Sequence, residues 1–203
     1  MKAKLLLLLL ASSTAVAFGQ TTAKEYYDRG SSKSFSNKSS DIDAAIADLS
    51  MAIKQKPDYH EAYNLRAILK SNNKDDPAGA LSDYSKAIEL RPDFATYYSN
   101  RAGIRAELKD FTGALADCSK AIELKPKDHH TYMKRGEIRL MQKDPAGALT
   151  DFNLTLEVNP DYFAVLRRRA EAYRALGQSS LAEADEKKYA AEAKKFMERL
   201  LKP

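Results

Sequence analysis

Two apolar patterns alternate along the chain, and together they predict pairs of helices. In the first pattern, a bulky residue is followed four positions later by a small one, which places both on one helix face and allows a partner helix to approach closely. The bulky positions are Tyr26, Tyr63, Tyr98, Tyr132 and Leu166, and the small positions are Gly30, Ala67, Ala102, Gly136 and Ala170.

The second pattern follows each copy of the first and ends in a proline. Residues 79–92, 113–126 and 147–160 are near copies of one another, and residues 44–57 form a more degenerate copy. The closing prolines are separated by 35, 34 and 34 residues, and they are Pro57, Pro92, Pro126 and Pro160. A period of this length indicates a repeat architecture in which each unit is one helix pair.

The turn inside each unit carries an aspartate just before the second helix. These aspartates are Asp41, Asp76, Asp110 and Asp144. Aspartate is favoured at the N-cap because its side chain accepts a hydrogen bond from a free backbone N–H of the first turn. Pro77 and Pro145 follow at the first helical position, where the missing N–H costs nothing. We therefore predict that all four aspartates cap the second helices.

The helix–turn–helix unit resembles the tetratricopeptide repeat family. The family's opening bulky–small pair appears as Tyr98 and Ala102, and its terminal proline as Pro126. Its Ala-x3-aromatic centre appears as Ala80-x3-Tyr84 and again from Ala148. The chain departs from the family in having Tyr or Leu where Trp is usual, and Arg where Leu is usual. The resemblance covers roughly residues 24–195 and implies an all-α, right-handed α-solenoid of about five repeats with a C-terminal capping helix.

The repeat periods divide the chain into six segments. We expect a signal peptide over 1–19, a degenerate first repeat over 22–57, three regular repeats over 58–92, 93–126 and 127–160, and a degenerate last repeat with the capping helix over 161–201. Terminal units of a solenoid are atypical because their outer faces have no neighbouring repeat.

An arginine series and an aspartate series run through the repeats with the same period. The arginines are Arg29, Arg66, Arg101, Arg135 and Arg169, and the aspartates are Asp48, Asp83, Asp117, Asp151 and Asp185. An arginine that faces a core requires an acidic partner, so we predict that each Arg pairs with an Asp on an adjacent helix in a ladder of partly buried ion pairs. The alternative is a basic stripe that binds an anionic ligand.

The first residues have the pattern of a secretory signal peptide. Lys2 and Lys4 precede an apolar run from residue 5 to 11, and small residues then allow cleavage after Ala17 or Gly19. We therefore expect an exported protein, periplasmic or secreted, of bacterial origin; an uncleaved anchor is the alternative. No later segment is apolar enough for a stable membrane span. Without the two lysines the formal net charge falls from +5 to +3, which gives no case for nucleic-acid binding.

The residues that carry most enzyme chemistry do not form recognisable sites. His60, His129 and His130 lack metal-ligand spacing, and there is no Gly-rich phosphate loop or nucleophile motif. Cys118 lies within an apolar helical pattern, which predicts a buried, unreactive thiol. We therefore expect no catalysis, cofactor or metal; a diverged enzyme is the alternative of another class.

The resemblance also implies a concave groove, lined by the first helices, in which a peptide or protein partner binds. The candidate groove residues are Asn64, Ser99, Asn100, Met133, Lys134, Glu137, Arg167, Glu171 and Arg174. The N-terminal half of this set is small and nearly neutral, whereas the C-terminal half is charged and bulkier, so we expect a partner of mixed character.

Some family members grip the C-terminal carboxylate of a peptide with Lys and Asn from successive repeats. Asn100 matches one of these asparagines, and Lys134 falls at an Arg position of the motif. Asn64, Ile68 and His130 replace the other required residues. The carboxylate clamp is therefore incomplete.

These patterns predict a scaffold that mediates protein–protein interaction or the assembly of an envelope complex. The alternative within binding proteins is a structural subunit that self-associates through its end helix, where Leu181, Tyr189, Phe196 and Leu200 recur at helical spacing. The oligomeric state and the identity of the partner stay open.

Overall fold

The computed structural model describes residues 21–201, without the side chains of residues 73 and 74. The signal peptide predicted over residues 1–19 lies outside the described residues. The described part of the chain folds into ten helices and no strands: α1 (Ala23–Lys33), α2 (Ser39–Gln55), α3 (His60–Lys74), α4 (Pro77–Leu90), α5 (Ala95–Glu107), α6 (Phe111–Leu124), α7 (His129–Met141), α8 (Pro145–Val158), α9 (Val165–Ala175) and α10 (Ser179–Leu200). None of these helices is both long and apolar enough to cross a membrane.

The helices form five consecutive pairs, each joined by a short turn. Within a pair the two helices pack along their length, and the second helix of each pair also packs against the first helix of the next. The first helices α5, α7 and α9 contact one another in turn. This arrangement is an α-solenoid, with a row of first helices along one side.

Aspartate caps start three of the second helices. The Asp110 carboxylate accepts a hydrogen bond of 2.9 Å from the backbone N–H of Gly113. Asp76 and Asp144 make the same bond at the start of α4 and α8. The prediction of N-caps at these three positions is confirmed.

The prediction that Asp41 is an N-cap is wrong. Helix α2 begins at Ser39 with Lys38 at the N-cap, so Asp41 lies in the first turn of the helix. Its carboxylate instead accepts a hydrogen bond of 2.6 Å from the hydroxyl of Ser36. The first unit has extra Ser- and Lys-rich residues before α2, and these allow the helix to start earlier than the aspartate spacing indicates.

The small residues of the first helices permit close packing between the helices of a pair. Ala67, Ala102 and Ala170 are fully buried. At Gly136 an added Cβ would lie only 2.5 Å from Cε1 of Phe152 on α8. The bulky–small pattern therefore marks the closest approach of paired helices. Cys118 is likewise fully buried, which raises the pKa of its thiol to about 12 and leaves it unreactive at neutral pH.

Helix α10 is one continuous helix of 22 residues. It packs on α9 as the second helix of the fifth pair, and Phe196 in its second half lies near Phe163, just before α9. The position 34 residues after Pro160 is Lys194, so no proline ends the helix there.

Candidate functional site

The first helices α3, α5, α7 and α9 expose their outer sides along one face of the solenoid, which is the candidate groove. Asn64, on α3, and Asn100, on α5, are half-buried on this face. The side-chain amide of Asn100 donates a hydrogen bond of 3.5 Å to the amide oxygen of Asn64. The two asparagines thus lie side by side across neighbouring repeats.

Ser99 does not line the groove surface as the sequence predicts. It is 9% exposed, and its hydroxyl accepts a hydrogen bond of 3.3 Å from Thr131 on α7. Its backbone carbonyl accepts a bond of 2.7 Å from the ammonium group of Lys134. Ser99 is covered because α7 packs over α5 at this point, and only its carbonyl takes part in the groove, through Lys134.

Lys134 is the half-buried cation in the centre of the groove. Burial lowers the pKa of its ammonium group. An added Cβ at Gly103 would lie 3.9 Å from Lys134 Nζ, so the ammonium group lies next to the Gly103 backbone of α5. Of the three N–H donors, the carbonyl of Ser99 occupies one.

In the C-terminal half of the groove, Arg168 bridges α7 and α9. Its Nε donates a hydrogen bond of 2.9 Å to Glu137 on α7, and its Nη1 donates one of 3.1 Å to Glu171 on α9. The sequence interpretation missed Arg168, although it occupies the position 34 residues after Lys134. Met133, Leu140 and the carboxylates of Glu137 and Glu171 contribute to two shallow pockets beside it.

Arg167 and Arg174 are turned partly towards α10 rather than into the groove. The guanidinium of Arg167 lies 5.5 Å from the centre of the Tyr189 ring, and Arg174 forms an ion pair of 2.5 Å with Glu186. Since α9 is the last first helix among the described residues, α10 is the neighbour within their reach. Arg167 still borders one of the shallow pockets, together with Met133.

The structure brings each arginine of the ladder to an aspartate on the second helix of its own pair. Arg101 donates two parallel bonds of 2.8 Å to Asp117, and Arg66 donates bonds of 2.8 and 2.7 Å to Asp83. Arg135–Asp151, Arg169–Asp185 and Arg29–Asp48 repeat this arrangement. The side chains of the four arginines from Arg66 onward are only 14–18% exposed, which leaves little surface for an anionic ligand.

A second series of cations shares the same aspartates, and the sequence interpretation missed it. Arg105 and Arg139 lie one turn after the ladder arginines and reach Asp117 and Asp151 at 2.9 and 2.8 Å. Lys33 and Lys70 take this place in the first two units. Their spacings of 37, 35 and 34 residues could have revealed them, because they match the spacings of Arg29, Arg66, Arg101 and Arg135.

The ladder also joins neighbouring repeats. Nη1 of Arg66 donates a hydrogen bond of 2.9 Å to the hydroxyl of Ser50 on the preceding second helix. Nη1 of Arg101 donates one of 3.2 Å to Ser85 in the same way. Arg135 reaches Ser119, and Arg169 reaches Asn153. Each of the four arginines from Arg66 onward therefore links its own pair to the one before it.

The pKa of Asp48 lies below its usual value, chiefly because the Arg29 side chain hydrogen-bonds to the carboxylate. A carboxyl whose pKa is lower in the folded state stabilises the fold above its unfolded pKa, and this contribution is lost as the pH falls through the folded value. The Arg29–Asp48 pair thus stabilises the first unit at neutral pH.

Within residues 21–201, no cluster of three or more His, Cys, Asp or Glu side chains could hold a metal ion. His60 shares a hydrogen bond of 2.8 Å with the hydroxyl of Tyr97, and the rings of His129 and His130 are 4.0 Å apart. These histidines are parts of helix packing at the starts of α3 and α7.

Comparison with known proteins agrees with this geometry. Residues 73–129 match the tetratricopeptide repeat family. No curated protein sequence matches the chain.

Several solved structures share the fold. MamA residues 41-end from Desulfovibrio magneticus RS-1 superimposes with a TM-score of 0.77 at 14% identity, covering 85% of this chain and 96% of that one. PilF of Pseudomonas aeruginosa gives a TM-score of 0.71 at 20% identity, with 84% and 76% covered. The first tetratricopeptide domain of Spaghetti (RPAP3), bound to the HSP90 peptide SRMEEVD, gives 0.55 at 23% identity, with 58% and 93% covered.

Proposed function

We propose that this chain is an exported, non-catalytic scaffold that binds a segment of a partner protein in the groove of its first helices. The observation that carries this proposal is Lys134, a half-buried ammonium group on the groove face that donates a hydrogen bond to the Ser99 carbonyl. A hydrogen bond from a partly buried ammonium group to an acceptor is stronger than one from an exposed lysine. Asn100 and Asn64 extend the same row of polar groups towards the N-terminus.

The chemistry of the groove indicates a partner with different groups along its length. Asn64 and Asn100 can donate to and accept from the backbone of an extended peptide. Lys134 favours a carboxylate or a carbonyl oxygen. Beyond it, the pockets beside Arg168 combine apolar walls with two carboxylates, which suits a long side chain with a polar end.

Export rests on the composition of residues 1–19. Two lysines precede a short apolar run, and small residues follow it, as in a cleavable signal peptide. An exported scaffold would meet partners of the cell envelope or the exterior, which is consistent with assembly of an envelope complex.

Replacing Lys134 with alanine is expected to weaken peptide binding about tenfold, because a charge-assisted hydrogen bond is lost. Twelve-residue peptides selected by phage display on the wild-type chain would be measured by fluorescence anisotropy. The matched control is Lys120→Ala on the second helix α6, whose ammonium group pairs with Glu123 away from the groove. It should leave the Kd unchanged within twofold. Equal Kd values for the wild type and Lys134→Ala, or no enriched peptides at all, would contradict the proposal.

The acidic C-terminal peptide SRMEEVD should bind weakly, with a Kd above roughly 100 μM, because the carboxylate clamp is incomplete. The measurement is a calorimetric titration of the wild-type chain with SRMEEVD and with its C-terminally amidated form. The two forms should give similar, weak isotherms, since His130 and Ile68 stand at positions that a clamp fills with Lys and Asn. Submicromolar binding that disappears on amidation would show that a carboxylate site exists after all.

A further inference from the structure

At both ends of the solenoid, the helix face that would pack against a further repeat is polar. In the inner repeats, the first helix packs on the preceding second helix through buried residues such as Ala62 and Leu69. The equivalent residues of α1 are Glu25 and Ser32, which are both exposed. A polar outer face of this kind prevents another unit from stacking at the N-terminal end.

The outer face of α10 is polar for the same reason. On α8, Leu149 and Phe152 belong to the core cluster that packs against α9. The residues 34 positions later are Glu183, which is exposed, and Glu186, which is exposed but paired with Arg174 on α9. Head-to-tail stacking of copies would therefore bury the Glu183 carboxylate at the junction, which disfavours it.

The end of α10 departs from the repeat and carries an exposed apolar side. The closing proline of the earlier repeats is replaced by Lys194, and the helix continues to Leu200. Residues 187–201, which we call the C-terminal segment, place four large apolar side chains at helical spacing. Their exposed fractions rise towards the tip, from 45% for Phe196 and 54% for Met197 to 63% for Leu200 and 77% for Leu201.

Little of the protein covers this side. The ring centre of Phe163, just before α9, lies 6.1 Å from the ring centre of Phe196 and 5.8 Å from that of Tyr189. Phe196 also lines a cavity together with Leu156 and Leu166, whereas Met197, Leu200 and Leu201 are each more than half exposed. The most exposed part of the apolar side is therefore the last turn of α10, with Leu200 and Leu201.

The polar side of the same segment is basic. It contains five basic and two acidic residues, a net charge of +3. The two acids are already paired within the helix, Glu192 with Lys195 at 2.9 Å and Glu198 with Lys194 at 4.0 Å. Two copies brought together through this segment would juxtapose like charges, which disfavours self-association.

We propose that the C-terminal segment docks on an anionic lipid bilayer, with Phe196, Met197, Leu200 and Leu201 inserted into the headgroup region. A basic amphipathic helix with large apolar residues on one side is suited to a membrane surface, because lipid attraction for the cations adds to the burial of the apolar side. An exposed helix end can insert into a fluid lipid surface without a matching cavity, whereas a protein partner would need one for Leu200 and Leu201. The solenoid is then held at the membrane by one end, and its groove stays open.

The test is co-sedimentation of the chain from residue 20 onward with large unilamellar vesicles. This form contains every helix described above and lacks the apolar run at residues 5–11, which would bind lipid by itself. We expect binding to vesicles of phosphatidylcholine with 30% phosphatidylglycerol at low salt, and on the order of 100-fold weaker partitioning for the triple variant Lys194→Gln/Lys195→Gln/Arg199→Gln.

Leu200→Glu should reduce partitioning at least tenfold, since it places a charge in the inserted side. Leu181→Glu is the matched control, because Leu181 is an exposed leucine of α10, 47% exposed, outside the C-terminal segment. Equal binding to pure phosphatidylcholine vesicles, no binding of the wild type, or equal loss in both leucine variants would overturn the proposal. A dimer in light scattering that Leu200→Glu abolishes, without vesicle binding, would assign the surface to a second copy.

Discussion

Replacing Asp151 with alanine is expected to lower the free energy of unfolding by about 3–5 kcal/mol. The side chain of Asp151 is fully buried and accepts hydrogen bonds from both Arg135 and Arg139. Removing it leaves two guanidinium groups, 16% and 25% exposed, without their shared counter-charge. The unpaired charges, more than the lost bonds, account for the size of the effect.

Urea unfolding followed by circular dichroism at 222 nm would measure the effect. Asp161→Ala is the control, since Asp161 is exposed in the turn before α9, and its replacement should change the stability by less than about 0.5 kcal/mol. The loss of stability for Asp185→Ala should fall between the two. Tyr173 stands where Asp151 has its second cation, so among the described residues Arg169 alone pairs with Asp185. If Asp151→Ala unfolds at the same urea concentration as Asp161→Ala, the ladder does not stabilise the fold.

The ladder was predictable because its residues repeat with the period of the fold. Arg101 and Asp117 recur at the same spacings, and a core-facing arginine requires an acid. The second cation of each cluster, such as Arg105, recurs as regularly. Its role becomes evident only when all the units are compared. A long basic side chain on a helix is usually solvent-exposed, and the local sequence does not show that it reaches back to a buried carboxylate.

The misplaced cap at Asp41 shows where periodic reasoning fails. The rule that aspartate precedes the second helix holds where the turn has a constant length. In the first unit the turn is longer, so the helix starts at Ser39 and the aspartate falls inside it. Cap position depends on the local chain path, which a repeat pattern fixes only when insertions are absent.

The groove was predictable as a surface but not in its details. The family resemblance indicates which helix faces line it, yet the burial of Ser99 depends on how Thr131 and Lys134 of the next repeat pack over it. At the C-terminal end, Arg167 and Arg174 turn towards α10. They take this orientation because, within the described residues, no first helix of a sixth pair follows α9. The two arginines themselves give no sign of this in the sequence.

Replacing Gly136 on α7 and Gly103 on α5 with alanine, one at a time, should change the free energy of unfolding in opposite directions. Gly136→Ala is expected to lower the free energy of unfolding by about 1–3 kcal/mol, because the new Cβ would lie 2.5 Å from Cε1 of the buried Phe152 ring. Gly103→Ala should raise it by about 0.5–1 kcal/mol, since alanine is the better helix former and its Cβ would lie 3.9 Å from Lys134 Nζ, an ordinary contact.

A double-mutant cycle separates the steric cause from other effects of Gly136→Ala. Phe152→Leu removes the ring that the new Cβ would strike, at the cost of a smaller core side chain. If the steric reason is correct, Gly136→Ala should be nearly neutral in the Phe152→Leu background, and the two changes should be non-additive by about 1 kcal/mol or more. Additive effects in thermal and urea unfolding would mean that helix α7 shifts to accept the methyl group. The close approach of α7 and α8 would then not be what selects glycine at this position of the repeat.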